Sequence, residues 1–301
     1  MSTCKLIRTI LVALALAFTA LTPAVAQKQP QNGLLWEISG RNMTAPAYLF
    51  GTIHLYDTST YQLPQPPFEL LEKTGRVYFE LDFGKINMAE MSAGMFITDT
   101  SQYINKLLDP VSLARLNKLL EGSASAKMLG DRVYTIKPLF VSVMLLGNEK
   151  TSSVDLELYK AAMSGKHAVG GLETVKEQME AFNTMSIAAQ TEALRQFLSN
   201  DLSGQEILSK MTAIYARQNI TNMLKELEQF MPLDANTSET LVNKRNIIMT
   251  DRIDSLLQQQ EHPLIAVGAG HLGSDAGIVE LLRKKGYTLK NIPFTIKKAH
   301  E

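Results

Sequence analysis

Cysteine is all but absent: the one in the chain, Cys4, lies ahead of an early apolar run, so nothing from Gln27 onward carries a thiol. Disulfides, thiolate metal ligands and a cysteine nucleophile are excluded from that part of the chain. An excess of one charge is missing too, with 30 Lys and Arg against 30 Asp and Glu. Binding a polyphosphate requires a basic surface that displaces counterions, so no nucleic acid is expected as a partner. After residue 26 no apolar run reaches the roughly 20 residues that cross a bilayer. Neither H-E-x-x-H nor G-x-S-x-G occurs. The common zinc-protease helix and the serine-hydrolase elbow are therefore set aside.

What is present begins with an export signal. Lys5 and Arg8 precede residues 10–21, apolar apart from Thr19, and Ala24-Val25-Ala26 follows. This is the pattern of a secretory signal peptide over 1–26, cleaved before Gln27. A membrane anchor is the competing reading, but Thr22 and Pro23 end the run early. Cys4 lies on the wrong side of it for lipid attachment after cleavage. The sequence predicts an exported single domain over 27–301, periplasmic or released, with no stable membrane span after cleavage.

Apolar-aromatic runs at 33–38 and 47–53, separated by a polar turn, predict a strand hairpin. A loop at 57–67, a short helix at 68–73 closed by Gly75 and a strand at 76–81 follow. From 88 to about 200 the period is helical, interrupted by a brief strand at 167–173. Long helices are predicted at 202–230 and 237–259, then a strand at 264–267, a helix at 277–285 and a last strand at 287–293. The fold class is α/β: a mixed β-sheet with flanking helices, completed by both ends of the chain, with a helix-rich central insertion at about 88–260.

Two loops repeat one design. Gly51-Thr52-Ile53-His54 follows the apolar run 48–50, and Gly268-Ala269-Gly270-His271 follows 264–267. Strand ends in α/β folds expose reactive groups on a fixed backbone, so both imidazoles can enter one cleft. A histidine simply hydrogen-bonded at a strand end is the plainer reading for either alone; His167, His262 and His300 have ordinary settings. Gly268 to Gly273 also fits G-x-G-x-x-G, but the next strand ends in Lys290 and Asn291, not an acid. No nucleotide is expected. Glu80 lies inside the apolar strand V-Y-F-E-L, where a charge requires a partner. Glu173 follows Gly170-Gly171-Leu172 at a strand-to-helix turn, where a first-turn acid is also ordinary. Arg245, between Leu241 and Met249 on a helix, either points inward to a carboxylate or lies along an amphipathic face. Two histidines and two carboxylates suit Mn²⁺, Co²⁺, Zn²⁺ or Fe²⁺, which with an open position activates water and polarises a carbonyl.

The ordered blocks Y-L-F-G-T-I-H at 48–54, V-Y-F-E-L at 77–81, V-G-G-L-E-T at 169–174, K-R-N-I-I-M at 244–249 and A-V-G-A-G-H-L-G-S-D-A-G at 266–277 resemble the TraB/PrgY/GumN family. The likeness is to its secreted GumN-like branch and covers nearly the whole chain after the signal. The related animal Tiki proteins are metal-dependent proteases acting on secreted Wnt proteins, with Mn²⁺ or Co²⁺ as cofactor. Their fold is compared with erythromycin-esterase-like and ChaN-like proteins, the latter including a haem-binding lipoprotein.

The resemblance implies a metal-dependent hydrolase, a peptidase acting on exported or envelope peptides. His54, Glu80 and His271 would hold the metal, Glu80 or Glu173 would act as general base, and Arg245 would stabilise an oxyanion or fix a carboxylate. The alternative is a non-catalytic periplasmic binding protein for haem, a peptide or a glycan fragment. Met144, Phe182, Met185 and Tyr215 would then line a pocket, although each equally suits a core. Convergence of His54, Glu80 and His271 separates a shared site from three unrelated residues.

Overall fold

The computed structural model describes residues 32–230 and 235–300; the signal-peptide expectation for 1–26 lies outside them. Eight strands are formed among the described residues: β1 Leu35–Ser39, β2 Ala47–Thr52, β3 Tyr56–Asp57, β4 Arg76–Leu81, β5 Thr151–Ser152, β6 Ala168–Glu173, β7 Leu264–Gly268 and β8 Thr288–Asn291. Six build one mixed sheet in the order β6-β4-β7-β2-β1-β8, while β3 and β5 pair separately.

The architecture is α/β. β1 and β2 form the expected antiparallel hairpin, whose turn takes left-handed backbone at Gly40, Arg41 and Asn42. β2, β7, β4 and β6 run parallel to one another, and β8 closes the other edge antiparallel to β1. Leu264, Ile265, Ala266 and Val267 of β7 are fully buried. A strand covered on both faces needs such a continuous apolar run, which is why it was legible as a strand. The helix Pro66–Thr74 ends at Gly75, left-handed at φ +65°, whose N–H caps the Leu71 carbonyl. That reversal delivers the chain directly into β4.

The middle of the chain does more than the sequence pattern indicates. β6 comes from within 88–260 and forms an edge of the same sheet, parallel to β4. The helix-rich stretch thus leaves the sheet, returns for one strand and leaves again. The single helix expected over 202–230 is two, Gly204–Ala216 and Met223–Leu227. Gln218 makes the break with φ +56°, and its side chain is held by Leu34 N–H and the Phe294 carbonyl. These partners are distant in sequence, and no Gly or Pro marks the position. Among the described residues, no helix is long and apolar enough to cross a membrane.

Candidate active site

The parallel strands finish level. Register pairs Thr52 with Gly268, Phe79 with Ala266 and Leu81 with Glu173. The carboxyl ends of β2, β7, β4 and β6 therefore lie side by side, the place where open α/β sheets carry ligands. β2 leads to His54, β7 to His271 through the short helical turn Ala269–His271, β4 carries Glu80, and β6 ends on Glu173.

Gly268 is the meeting point. A Cβ built on it would lie 3.1 Å from Glu80 Oε1, 3.6 Å from His271 Cδ2 and 3.9 Å from His54 Nε2. Three side chains expected to share a site thus border a space about one carbon wide. The Gly268 N–H also donates to Glu80 Oε1 at 2.7 Å.

Arg245 brings in the other two. Its Nη2 donates to Glu80 Oε2 and Glu173 Oε2, both at 2.6 Å, and its Nε donates to Glu173 Oε1 at 3.0 Å. All three side chains are at least nine-tenths buried. The inward reading of Arg245 is the one the structure shows. Its helix, Arg245–Gln258, follows a π-helical turn, Glu239–Lys244, a feature concentrated at functional sites. The Leu241 carbonyl in that turn accepts from Arg245 Nη1 at 3.1 Å.

Glu80 consequently has two unlike oxygens. Oε2 accepts from Arg245 and, at 3.0 Å, from Gln178 Nε2. Oε1 accepts from Gly268 and faces His271 Nε2 at 3.6 Å. Burial opposes ionisation of Glu80, but the charges of His271, Arg245 and His54 and the Gly268 N–H outweigh it. Its carboxyl is held well below the usual carboxylate range.

The histidines differ in state. His271 is buried, with Nδ1 2.6 Å from Asn246 Oδ1, and the Asn246 amide nitrogen donates to the Ala276 carbonyl. Asn246 is thereby oriented as an acceptor, so His271 donates from Nδ1 and keeps the lone pair at Nε2. Burial pushes its pKa down to about 4 against the pull of Glu80, with Arg245 and His54 lowering it further. His54 is 65% exposed, and its Nδ1 lies 2.9 Å from Asp155 Oδ2. Asp155 is itself buried and accepts from Thr52 Oγ1 at 2.5 Å. The Asp155 charge raises His54 to about 9.

These shifts set opposite limbs of a stability profile for the chain without bound cation. His54, raised from 6.5, stabilises fully below pH 6.5 and loses that contribution as pH rises to about 9. His271, lowered from 6.5, contributes fully above pH 6.5 and loses it as pH falls to about 4, where Glu80 begins to follow. Thermal melts across this range should be highest near pH 6.5. His54→Ala should flatten the alkaline limb and leave the acid limb; an unchanged alkaline limb would contradict the Asp155 assignment.

The donor set fits a divalent cation. His271 Nε2 and Glu80 Oε1 are two acceptors facing one another. Facing lone pairs repel unless a proton or a metal lies between them. Among the described residues, however, no three His, Asp or Glu side chains stand together in a ready metal-ligand group. Closing His54 onto the other two therefore requires its exposed ring to move.

Sequence reasoning missed Asp155, Asn246 and Gln178. Asp155 lies in the first turn of helix Val154–Ser164, after the N-cap Ser153, where an acid has an ample local explanation. Asn246 adjoins Arg245 on the same buried face and was the one of the three that a close reading of K-R-N could have flagged. Of the four residues offered as pocket lining, Tyr215 is core and donates to the Gly51 carbonyl, and Phe182 packs on Phe140. Met144 is partly buried against the core, and Met185 lines a separate cavity.

A model of the TraB/PrgY/gumN family matches residues 34–291. The chain is similar to Metalloprotease TIKI1 of Danio rerio, at 26% identity over 87% of this chain and 63% of the relative. Similarity to Metalloprotease TIKI2 of the same fish is 21% over 89% and 62%, and to Metalloprotease TIKI1 of Homo sapiens 20% over 89% and 63%. The chain thus spans a little under two thirds of the length of these relatives. No solved structure matches it.

Proposed function

This chain belongs to the TraB/PrgY/gumN family, and from that premise we propose that it is a metal-dependent hydrolase, a peptidase acting on exported or envelope peptides. The observation that carries the reading is the meeting of His54, Glu80 and His271 around Gly268 at level strand ends. The metalloprotease names of its relatives support it at family level. An erythromycin-esterase-like or ChaN-like arrangement of the sheet and a periplasmic location belong to the same proposal.

His54, Glu80 and His271 would hold the cation, one of Mn²⁺, Co²⁺, Zn²⁺ or Fe²⁺. When bound, it supplies Lewis acidity to a scissile carbonyl and an attacking water. The chain's own residues prepare that place. Asn246 keeps the proton of His271 on Nδ1, leaving Nε2 free toward Glu80. Asp155 holds the Nδ1 proton of His54, and a cation at Nε2, which borders Gly268 on a ring open to solvent, would take the place of the second proton that the Asp155 charge favours. Glu80 would offer the cation Oε1, the oxygen that Arg245 and Gln178 leave free. Both oxygens of Glu173 are engaged by Arg245, so this pair fixes Glu80 in place.

Metal analysis of the purified chain, with peptide hydrolysis compared between wild type and His54→Ala, tests the reading. Bound divalent metal and turnover lost by about 10²-fold or more in the variant are expected. Absence of both metal and His54-dependent turnover would overturn it.

A further inference from the structure

Lys137 lies where two helices end. Its Nζ donates at 2.5 Å to the Gly94 carbonyl, next to the end of helix Met88–Met95, and at 2.5 Å to Oδ1 of Asn183, the last residue of helix Val175–Asn183. An ammonium has three protons, and both of these acceptors are neutral. Among the described residues Lys137 has no carboxylate partner. Partial burial pushes its pKa down.

The same residue lines a cavity of about 420 Å³, as does Asp99. Asp99 takes two hydrogen bonds from Ser101 on Oδ1, which hold its carboxyl below the ordinary range, and its other oxygen is uncommitted. It makes no close ion pair among the described residues, although the more distant charge of Lys106 also acts on it. Phe96, Met185 and Ile187 add apolar wall. Gln190, buried behind them, donates to the Met185 carbonyl at 2.9 Å and accepts from Leu139 N–H, so this wall is fixed before any ligand arrives.

A cavity of this size suits a small ligand. One cation and one anion, set around a wall that is part apolar and part polar, also restrict its chemistry. A purely anionic ligand would meet Asp99, a purely cationic one would meet Lys137, and a zwitterion gives each of them a counter-charge. We infer that the cavity binds a small zwitterion with an apolar body, a free apolar amino acid or a dipeptide with both termini free. The inference goes beyond hydrolysis, because none of His54, Glu80 or His271 lines the cavity. It does adjoin the strand-end cluster: helix Val175–Asn183 carries Gln178 to Glu80, five residues or about 7.5 Å of helix before Asn183.

Titration calorimetry of the full chain as His54→Ala, which avoids turnover, with the dipeptide Ala-Leu tests this. Binding is expected, weakened at least about tenfold by N-acetylation or by C-terminal amidation of the dipeptide. Lys137→Met should weaken Ala-Leu similarly yet hardly affect the amidated form. Asp99→Asn, at an exposed position, should weaken Ala-Leu yet hardly affect the acetylated form. No binding at millimolar dipeptide, equal binding of the blocked forms, or indifference to both variants would overturn the inference. Wild type that fails to hydrolyse peptides but binds Ala-Leu in this pattern would overturn the proposed reaction and leave the cavity assignment standing.

Discussion

Arg245→Met is expected to lower the unfolding free energy by about 3–5 kcal/mol, the usual effect of removing one partner from a buried ion cluster. The reason is the company Arg245 keeps. Glu80 and Glu173 both point at it from neighbouring strands, and both are almost wholly buried. Removing the guanidinium leaves two carboxylates out of water, with only the Gly268 N–H and Gln178 still donating to Glu80. One must then take up a proton, so the loss should shrink at acidic pH. Arg245→Lys should recover only part of it, because an ammonium cannot reproduce the fork that spans both carboxylates. Adding Glu80→Gln and Glu173→Gln to Arg245→Met should recover stability by removing the stranded charges. Denaturant unfolding of the four proteins decides it. A small effect of Arg245→Met, or no recovery in the triple variant, would mean the cluster does not anchor the strand ends.

Gly268→Ala should do the opposite: leave the fold nearly intact and remove the chemistry. Gly268 has φ −52°, which any residue adopts, so alanine introduces no backbone strain there. Its methyl, however, occupies the point bordered by Glu80 Oε1, His271 Cδ2 and His54 Nε2. The closest approach, 3.1 Å, is short enough to push Glu80 by a few tenths of an ångström. A cation or a reacting carbonyl would have to share that space with the methyl. Displacing reacting groups by about 1 Å costs on the order of 10²-fold in rate. Peptide turnover should fall by about that factor, with a melting temperature within a few degrees of wild type. Wild-type turnover in Gly268→Ala would show that hydrolysis happens elsewhere on the molecule.

The contrast between these variants follows from what was legible in the sequence. β7 and β4 are read directly, because strands buried on both faces require unbroken apolar runs. Glu80 stands out for the same reason, as an acid inside such a run, and the repeated Gly-x-x-His after β2 and β7 marks strand ends. The supporting residues are hidden by adequate local explanations. Asp155 passes for a first-turn acid, and Gln178 for a solvent-facing residue of an amphipathic helix. Their roles depend on strand order, which places β6 beside β4 and β2 beside β7. No local pattern encodes that adjacency, and the same holds for the break at Gln218 and the pairing of β3 with β5.

The most direct test is to locate a cation. Anomalous diffraction at the manganese edge, from crystals grown with Mn²⁺, should give one peak between His271 Nε2 and Glu80 Oε1, with the His54 ring turned toward it. A peak remote from these atoms, or none with Mn²⁺ in excess, would contradict the assignment of the Gly268 cradle as the metal centre.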